Sequence, residues 1–536
     1  MNGKWVLENW EWANFGGSPN GVEGFLTTQA GSLVSSWHVI LSTQRLRMSL
    51  TNRAIVALCL MVGFYLLALS VAAGLVWIAY ADWAYRDRLD RIEIACVIAA
   101  VMILWSILPR FDRFEPPGLR ITKEQEPRLF AEISGIAWAT GQTVPHEVYL
   151  TPEVNAGVAQ RGGIAGLGSR RVMVLGLPLM ALLTVSQFRA VLAHEFGHYH
   201  AGDTKLGPWI YRTRATIIRT VKTLANHRSF LAYLSYLFKW YAEMFLRITL
   251  AISRAQEYAA DQLAAQFAGS KALIEGLKQL HRGDAAWNSY LQTEVGPVIS
   301  AGFLPPLSAG LAYFIAGPQM SGPVEASLER ELAEGKAEVF DSHPSLRERI
   351  AALQNAPSGV LEDSRRAIEL VNNLQLAETS FLRSDVADRK LQPVAWDHVL
   401  EKVWDPNWRT QVHEQRQALQ GTHVADLAQL LASGELGRKL TGPPGVWLTN
   451  EQRADMARGI ASVALALALL RAGWTFHTLP GEAYCEKDGR RLEPFKLVSQ
   501  LVTDKSAQEK WHDLCKDYGI ADLVLSPETA EQASAT

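Results

Sequence analysis

The sequence predicts a mostly helical α+β fold with a small β-sheet, preceded by a transmembrane helical hairpin and followed by a mainly helical C-terminal domain. Three observations lead to this prediction. The run from Ala54 to Ala81 has no charged residue and is long enough to cross a bilayer core of about 30 Å. Residues 147–150 and 171–175 are short, β-branched segments between turn residues, as strands are. A helix-periodic segment around His194 follows the second of them directly.

The bulk composition narrows the class of protein. A chain of 536 residues is too long for one core, and its net charge of -2 gives no electrostatic reason to expect a nucleic-acid partner. The cysteines form no Cys-x-x-Cys pair, which speaks against a thiolate zinc site or a disulfide framework. We predict an N-terminal extension (1–53), a membrane hairpin (54–108, spans about 54–81 and 92–108), a central domain (115–355) and an accessory C-terminal domain (357–536).

The hairpin prediction depends on a second apolar run, Ile94 to Leu108, which is shorter than the first. A buried helix is the alternative for this run, but the short charged link from Asp82 to Glu93 favours two antiparallel spans. Lys and Arg on both outer flanks place both ends in the cytoplasm. We therefore expect an integral protein of the plasma (inner) membrane whose central domain is cytoplasmic. Because Met48 directly precedes the apolar run, we hypothesise that translation starts there.

The helix after the second strand contains His194-Glu-Phe-Gly-His198. Residues i and i+4 share one helix face, so His194 and His198 can bind one metal ion, and Glu195 lies where its carboxylate can take a proton from a water on that metal. Ser186 is the expected N-cap, and Gly202-Asp203 the expected end. The alternative is an exposed polar helix with two unrelated histidines.

Two neighbours of the motif are further candidates for the site. His200 faces elsewhere on the helix, two positions after His198, and we reject it as a ligand. Asp203 has two equal interpretations, as a residue that supports a ligand or as the helix terminator.

A second helix offers a third ligand. Glu257 and Asp261 are again four residues apart, and a catalytic zinc ion takes three protein ligands. Glu257 can be the third ligand and Asp261 can orient a ligating histidine. Taken alone, this pair would be a solvated helix face.

The segment before it, residues 206–252, is basic and aromatic and has a polar stripe. We therefore expect it to lie in the membrane interface or to pack on the central domain rather than to span the bilayer.

Three ordered motifs together resemble the HtpX-like and CAAX prenyl endopeptidase family of membrane zinc metalloproteases (peptidase family M48, gluzincins). They are His194-Glu-Phe-Gly-His198, Ser253-Arg-x-x-Glu-x-x-Ala-Asp261 and Ser342-His-Pro-Ser-Leu-Arg-Glu-Arg349. The resemblance covers roughly residues 115–355, and with the hairpin it extends back to about residue 54. It implies a zincin-type domain.

The resemblance also implies roles for individual residues. One Zn²⁺ per chain would be held by His194, His198 and Glu257, with Glu195 as the base. A later helix would bring His343 and Arg349 to the site, where His343 could donate to the oxyanion or cap the resting zinc. The edge strand at Asn155 and Ala156 would pair with an extended substrate.

We therefore predict a membrane-anchored zinc metalloendopeptidase whose partners are the lipid bilayer and protein or peptide substrates bound as extended strands, with no nucleic acid. The alternatives are a non-catalytic or latent membrane scaffold that binds client proteins, and a zinc-independent binding protein. In the C-terminal domain, Gly459 to Leu470 is predicted to be a buried helix, and Tyr484 to Leu492 a hairpin with a turn at Asp488-Gly489. The default role of that domain is substrate or partner binding.

Overall fold

The computed structural model describes residues 50–86, 91–108, 116–161, 170–200, 207–225, 231–336, 343–359, 362–385, 391–442 and 447–526. The chain divides into two compact units, one within residues 1–280 and 328–377 and the other within residues 281–327 and 378–536. The described residues form a mostly helical α+β structure with small sheets and a helical C-terminal region, which confirms the predicted fold class at that level.

Two apolar helices begin the described chain, α1 (Leu50–Arg86) and α2 (Arg91–Ile107). Within the described residues, one helix, Ile55–Arg86, is long and apolar enough to cross a membrane, and a signal sequence can have the same properties. Helix α2 has 17 residues and is shorter than a typical span, so its crossing remains a prediction. Small side chains such as Ala68, Ala72 and Ala99 belong to one buried cluster of α1 and α2, as expected for closely packed apolar helices.

A four-stranded sheet lies in the first unit. Its strands are β1 (Leu119–Ile121), β2 (Glu147–Thr151), β3 (Ala156–Arg161) and β4 (Arg170–Gly176), in the order β1-β2-β4-β3. Strand β2 pairs with β4 in parallel, whereas β3 pairs with β4 in the antiparallel direction and forms one edge. The two strands predicted from the sequence are confirmed, and helix α3 (Pro127–Ala139) lies between β1 and β2 in the chain.

The helix with the His-Glu-x-x-His motif, α5 (Val185–His200), follows the short α4 (Leu177–Leu182). The prediction that Ser186 caps α5 was wrong. Thr184 caps it, because its hydroxyl accepts from the Gln187 backbone N–H at 3.2 Å and Gln187 Oε1 accepts from the Thr184 N–H at 2.9 Å. Ser186 instead accepts a hydrogen bond from the Asp363 N–H at 2.7 Å. The expected end of the helix at Gly202 lies outside the described residues.

Helix α6 (Gly207–Ala225) leads to α7 (Leu231–Ala268), an unbroken helix of 38 residues. The N-terminal half of α7 shares a buried cluster with α1, α2 and α6 through Phe238, Tyr241 and Phe245. Its C-terminal half packs on α5. From the sequence, residues 206–252 and the helix with Glu257 are predicted as separate segments. In the structure one helix connects the apolar bundle to the motif helix.

The remaining elements complete both units. Helix α8 (Ser270–Tyr290) begins in the first unit and ends in the second, and α11 (Ser321–Glu334) returns the chain to the first unit. The first unit also contains α12 (Leu346–Leu353), the 3₁₀ turn Ala367–Leu370 and the start of α13 (Leu374–Asp385). The second unit contains the π-helical turns Leu291–Val295 and Leu400–Trp404, the 3₁₀ turns Trp396–His398 and Val424–Asp426, α9 (Gly296–Ser300), β5 (Phe303–Leu304), α10 (Leu307–Ala316), β6 (Gln392–Pro393), α14 (Asp405–Glu414), α15 (Arg416–Leu419), α16 (Leu427–Ala432), α17 (Glu435–Lys439), α18 (Asn450–Arg471), β7 (Thr475–His477), β8 (Tyr484–Lys487), β9 (Arg490–Leu492), α19 (Pro494–Thr503) and α20 (Lys505–Asp517).

Two predictions for the second unit are confirmed. Residues 459–470 lie in α18, which is the buried centre of that unit's core. The predicted hairpin is β8–β9, and its turn residues Asp488 and Gly489 have φ values of 51° and 74°, as a two-residue hairpin turn requires.

Candidate metal centre

The two motif histidines point into one site, as their spacing on α5 predicts. The ring centroids of His194 and His198 are 4.8 Å apart and the rings are nearly perpendicular, at 86°. His194 is buried and His198 is half-buried. The cap at Thr184 fixes the start of the helix, and the Arg189 guanidinium binds both carboxylate oxygens of Glu132 on α3 at 2.7 Å each. These contacts hold α5 in a fixed orientation.

The third predicted ligand arrives from α7. Glu257 is buried, its Oε2 lies 3.4 Å from His194 Nε2, and its Oε1 lies 3.6 Å from His198 Nε2. One ligand atom from each of these three residues lies within 4.8 Å of the others. Two imidazoles and one carboxylate are a donor set that zinc commonly takes in catalytic sites.

Asp261 and Arg349 hold the His194 imidazole at Nδ1, on the side away from Glu257. Asp261 Oδ1 lies 2.9 Å from His194 Nδ1, and the carboxylate is fully buried. Arg349 of α12 donates to Asp261 from Nε at 2.9 Å and from Nη2 at 2.6 Å. Burial alone lowers the pKa of His194, but Asp261 at Nδ1 and Glu257 at Nε2 outweigh burial and raise its pKa to about 10 in the metal-free cluster. With Nδ1–H donated to Asp261, loss of the Nε2 proton would leave a lone pair directed at the metal position. The arrangement therefore fixes both the orientation and the tautomer of the ligand.

His343 occupies the open side of the site. Its Nδ1 lies 2.9 Å from Glu257 Oε1, and its side chain is 42% exposed. Two residues later lies Ser345, the N-cap of α12, which forms a capping box with Glu348 in which each side chain accepts from the other's backbone N–H. His343 is therefore the residue of the cluster that is most accessible to solvent and to a peptide.

A test of whether the residues fit a metal ion comes from Glu257 Oε2. Among the described residues this buried oxygen has no hydrogen-bond partner. A buried carboxylate oxygen without a partner is costly, and a cation between Glu257 and the two histidines would remove that cost. The donor set and this oxygen both fit a zinc ion.

The charged states of the metal-free cluster follow from burial and from its neighbours. Burial alone raises the pKa of Glu257, but the imidazoles of His194 and His343 outweigh burial and hold its pKa well below the ordinary value. Burial, with the positive charge of His194, lowers the pKa of His198 to about 4. Glu257 is thus an anion and His198 a neutral imidazole at neutral pH, which are the forms that bind metals.

Glu195 has a different environment on the same helix. Burial raises its pKa to about 7, and the negative charge of Glu257 adds to this effect. A carboxylate whose pKa lies near the working pH can both accept and release a proton. The neighbouring position of Glu195 therefore suits proton transfer, and its role as the general base stays a prediction.

Close contact between α5 and α7 sets the distance between the histidines and Glu257. A Cβ atom on Gly197 would lie 2.8 Å from Ala260 Cα and 3.0 Å from Ala260 Cβ. Ala190 and Ala193 on α5 are buried with Ala264 and Ala265 on α7 in the same cluster. The absence of a side chain at Gly197 therefore lets α5 approach Ala260 of α7 closely.

We expect Gly197→Ala to weaken zinc binding and to lower the free energy of unfolding by roughly 1–3 kcal/mol through overpacking. Zinc affinity from chelator competition and urea unfolding would measure both effects. Gly276→Ala is the matched control, because its nearest neighbours, on α5, would lie 3.6 Å away, an ordinary contact. Equal zinc affinities for Gly197→Ala and wild type would show that this contact does not set the ligand spacing.

The other predicted residues divide into three cases. Asn155 and Ala156 lie at the start of the edge strand β3, where Asn155 Oδ1 accepts from the Ala156 N–H at 2.8 Å. Asp203 lies outside the described residues, and so does the side chain of His200. Thr184 was not predicted as the cap of α5, although the Thr-x-x-Gln pattern before the apolar residues of that helix identifies it.

One comparison with known proteins bears on this cluster. Residues 125–356 match the sequence model of peptidase family M48. No solved structure matches the chain. The matched range contains His194, His198, Glu257, His343 and Arg349, so every described member of the cluster lies within it.

Proposed function

We propose that this chain, whose residues 125–356 form a peptidase family M48 domain, is a membrane-anchored zinc metalloendopeptidase. The observation that carries the proposal is the grouping of His194, His198 and Glu257 within 4.8 Å, with the otherwise unsatisfied Glu257 Oε2 directed into the group. The apolar helix Ile55–Arg86 supports the anchor. The catalytic domain would face the cytoplasm.

Each residue of the cluster would have a separate role in peptide hydrolysis. His194, His198 and Glu257 would hold the zinc ion, which supplies Lewis acidity toward the scissile carbonyl and toward water. Asp261, fixed by Arg349, keeps His194 in its binding orientation. The Glu195 carboxylate takes the proton of the attacking water and passes it to the leaving amine.

Substrate would bind as an extended strand along β3. This strand is one edge of the four-stranded sheet and begins at Ala156, directly after Asn155, so its outer backbone groups can pair with a peptide. Such pairing recognises backbone more than side chains. We expect unfolded or extended segments of proteins to be cleaved.

Zinc content and proteolysis of an unfolded protein test the proposal. Detergent-purified chain is expected to hold one zinc ion, to lose cleavage when a chelator removes it, and to regain cleavage when zinc returns. Zinc retention with no cleavage of any unfolded substrate would favour a latent or non-catalytic scaffold. Absence of zinc after metal-replete purification would overturn the metal centre itself.

His343→Ala is expected to retain zinc and to lower kcat by about 10²-fold, the usual loss for one oxyanion donor. The side chain is 42% exposed, so its removal should leave the fold intact. His398→Ala is the matched control, since the side chain of His398 is 58% exposed and His398 belongs to the other unit. Unchanged turnover in His343→Ala would refute the donor role.

A further inference from the structure

The short helix α12 brings two residues to the metal centre, one from each side of its N-cap in the sequence. His343 precedes the N-cap Ser345 by two residues, and its Nδ1 lies 2.9 Å from Glu257 Oε1. Arg349 follows the N-cap by four residues and donates to both carboxylate oxygens of Asp261. A helix of eight residues is too short to be stable by itself, so its position depends on the contacts at its ends. Whatever holds the first turn of α12 therefore holds both residues.

The first turn of α12 is held by α11 as well as by its own capping box. Glu331 Oε1 on α11 accepts a hydrogen bond from the Leu346 backbone N–H at 3.1 Å. The Ser345 hydroxyl in turn donates to the Gly335 carbonyl, directly after α11, at 3.2 Å. A carboxylate at the N-terminus of a helix also interacts favourably with the helix dipole. Glu331 thus satisfies a backbone donor of α12 that no bond inside that helix can satisfy.

The Glu331 carboxylate lies in space that Gly335 leaves open. A Cβ atom on Gly335 would lie 2.5 Å from Glu331 Oε1 and 2.7 Å from Glu331 Cδ, too close for either group to stay in place. Glu331 is half-buried, whereas Glu329, two residues earlier on the same helix, is exposed. The junction between α11 and α12 is therefore built around this one carboxylate.

The other end of α12 is held separately. Leu353 is buried in the cluster that α12 forms with α5, α7 and α8, and Leu346 packs against that cluster. Gln262 of α7 donates to the Ala352 carbonyl at 3.0 Å. Because these contacts do not involve Glu331, its loss should displace the first turn of α12 without unfolding the helix.

We propose that Glu331 is a positioning residue of the metal centre, which keeps Arg349 and His343 in place through the first turn of α12. The inference rests on the metal centre of the proposed function. Arg349 fixes Asp261, and Asp261 orients the ligand His194. The effect of Glu331 therefore reaches a metal ligand through Arg349.

Zinc affinity, measured by chelator competition on the detergent-purified full chain, tests this. Glu331→Ala is expected to weaken zinc binding by roughly 3- to 10-fold, less than the roughly 10- to 100-fold expected for loss of Arg349, which contacts Asp261 directly. Glu331→Gln keeps an oxygen that can accept from the Leu346 N–H and is expected to bind zinc within about 2-fold of wild type. Glu329→Ala is the matched control on the same helix and should bind zinc as wild type does.

A double-mutant cycle separates positioning from a general loss of stability. If Glu331 acts through Arg349, Glu331→Ala should cost little further zinc affinity in a chain that already carries Arg349→Ala. Asp261→Asn, which removes the negative charge that Arg349 binds, replaces Arg349→Ala in the cycle if the latter fails to fold.

Three results would overturn the inference while the metal centre stands. They are wild-type zinc affinity in Glu331→Ala, a loss in Glu331→Gln as large as that in Glu331→Ala, and additive losses in the cycle. A wild-type chain that binds no zinc would overturn the metal centre and the inference together. Because the measured quantity is zinc affinity, the test does not depend on which peptide the chain cleaves.

Discussion

Replacing Glu195 with Gln is expected to lower peptide cleavage by roughly 10²- to 10⁴-fold while the zinc content stays at the wild-type level. Gln has the size of Glu but cannot accept the proton of the attacking water. Because Glu195 is not among the residues grouped around the metal position, metal binding should not change. Cleavage rates on an unfolded protein, with zinc measured on the same samples, would check both the loss of cleavage and the unchanged zinc content.

The matched control for this change is Glu362→Gln, an exposed carboxylate paired with Lys271, which should cleave at the wild-type rate. Wild-type cleavage by Glu195→Gln would remove the proposed base. Loss of zinc together with loss of cleavage would show that Glu195 shapes the metal site instead.

Glu257→Ala is expected to remove zinc from the protein. The loss of affinity should exceed the roughly 10- to 100-fold that follows when a residue supporting a ligand is lost, because a direct ligand is removed. The change also removes the carboxylate that accepts from His343 and takes the negative charge away from the imidazoles of His194 and His198. Zinc content after dialysis against a weak chelator would measure the effect.

Glu257→Gln keeps the volume of the side chain and tests the same ligand if the alanine variant unfolds. Glu329→Ala, at an exposed position, is the control for a lost carboxylate. Zinc bound as tightly by Glu257→Gln as by wild type would exclude a carboxylate ligand from α7. The site would then need a different third donor.

The chemistry of this site could be predicted from the sequence because its parts are local. His194 and His198, like Glu257 and Asp261, are pairs whose i and i+4 spacing fixes a shared helix face before any tertiary structure is known. Bringing the two pairs and His343 together needed the resemblance of three ordered motifs. The structure adds the distances, which no pattern of residue types contains.

Other parts of the fold could not be predicted because they depend on contacts between distant segments. The packing of α7 against α1 rests on pairs such as Tyr241 with Leu60. Charges at Lys239, Glu243 and Arg247 made the segment look like a separate interfacial helix. The closeness of Gly197 to Ala260 likewise depends on how two helices meet.

The continuity of α7 fixes the distance between the apolar bundle and the metal position. Tyr241, which donates to the Leu60 carbonyl of α1, and Glu257 are connected by uninterrupted helix, which at about 1.5 Å per residue separates them by about 24 Å. An extended chain, at roughly 3.3 Å per residue, needs about seven residues to cover that distance. With α1 as the proposed anchor, a substrate held in the same membrane at the level of Leu60 therefore needs at least about seven residues of extended chain to reach the metal position along α7.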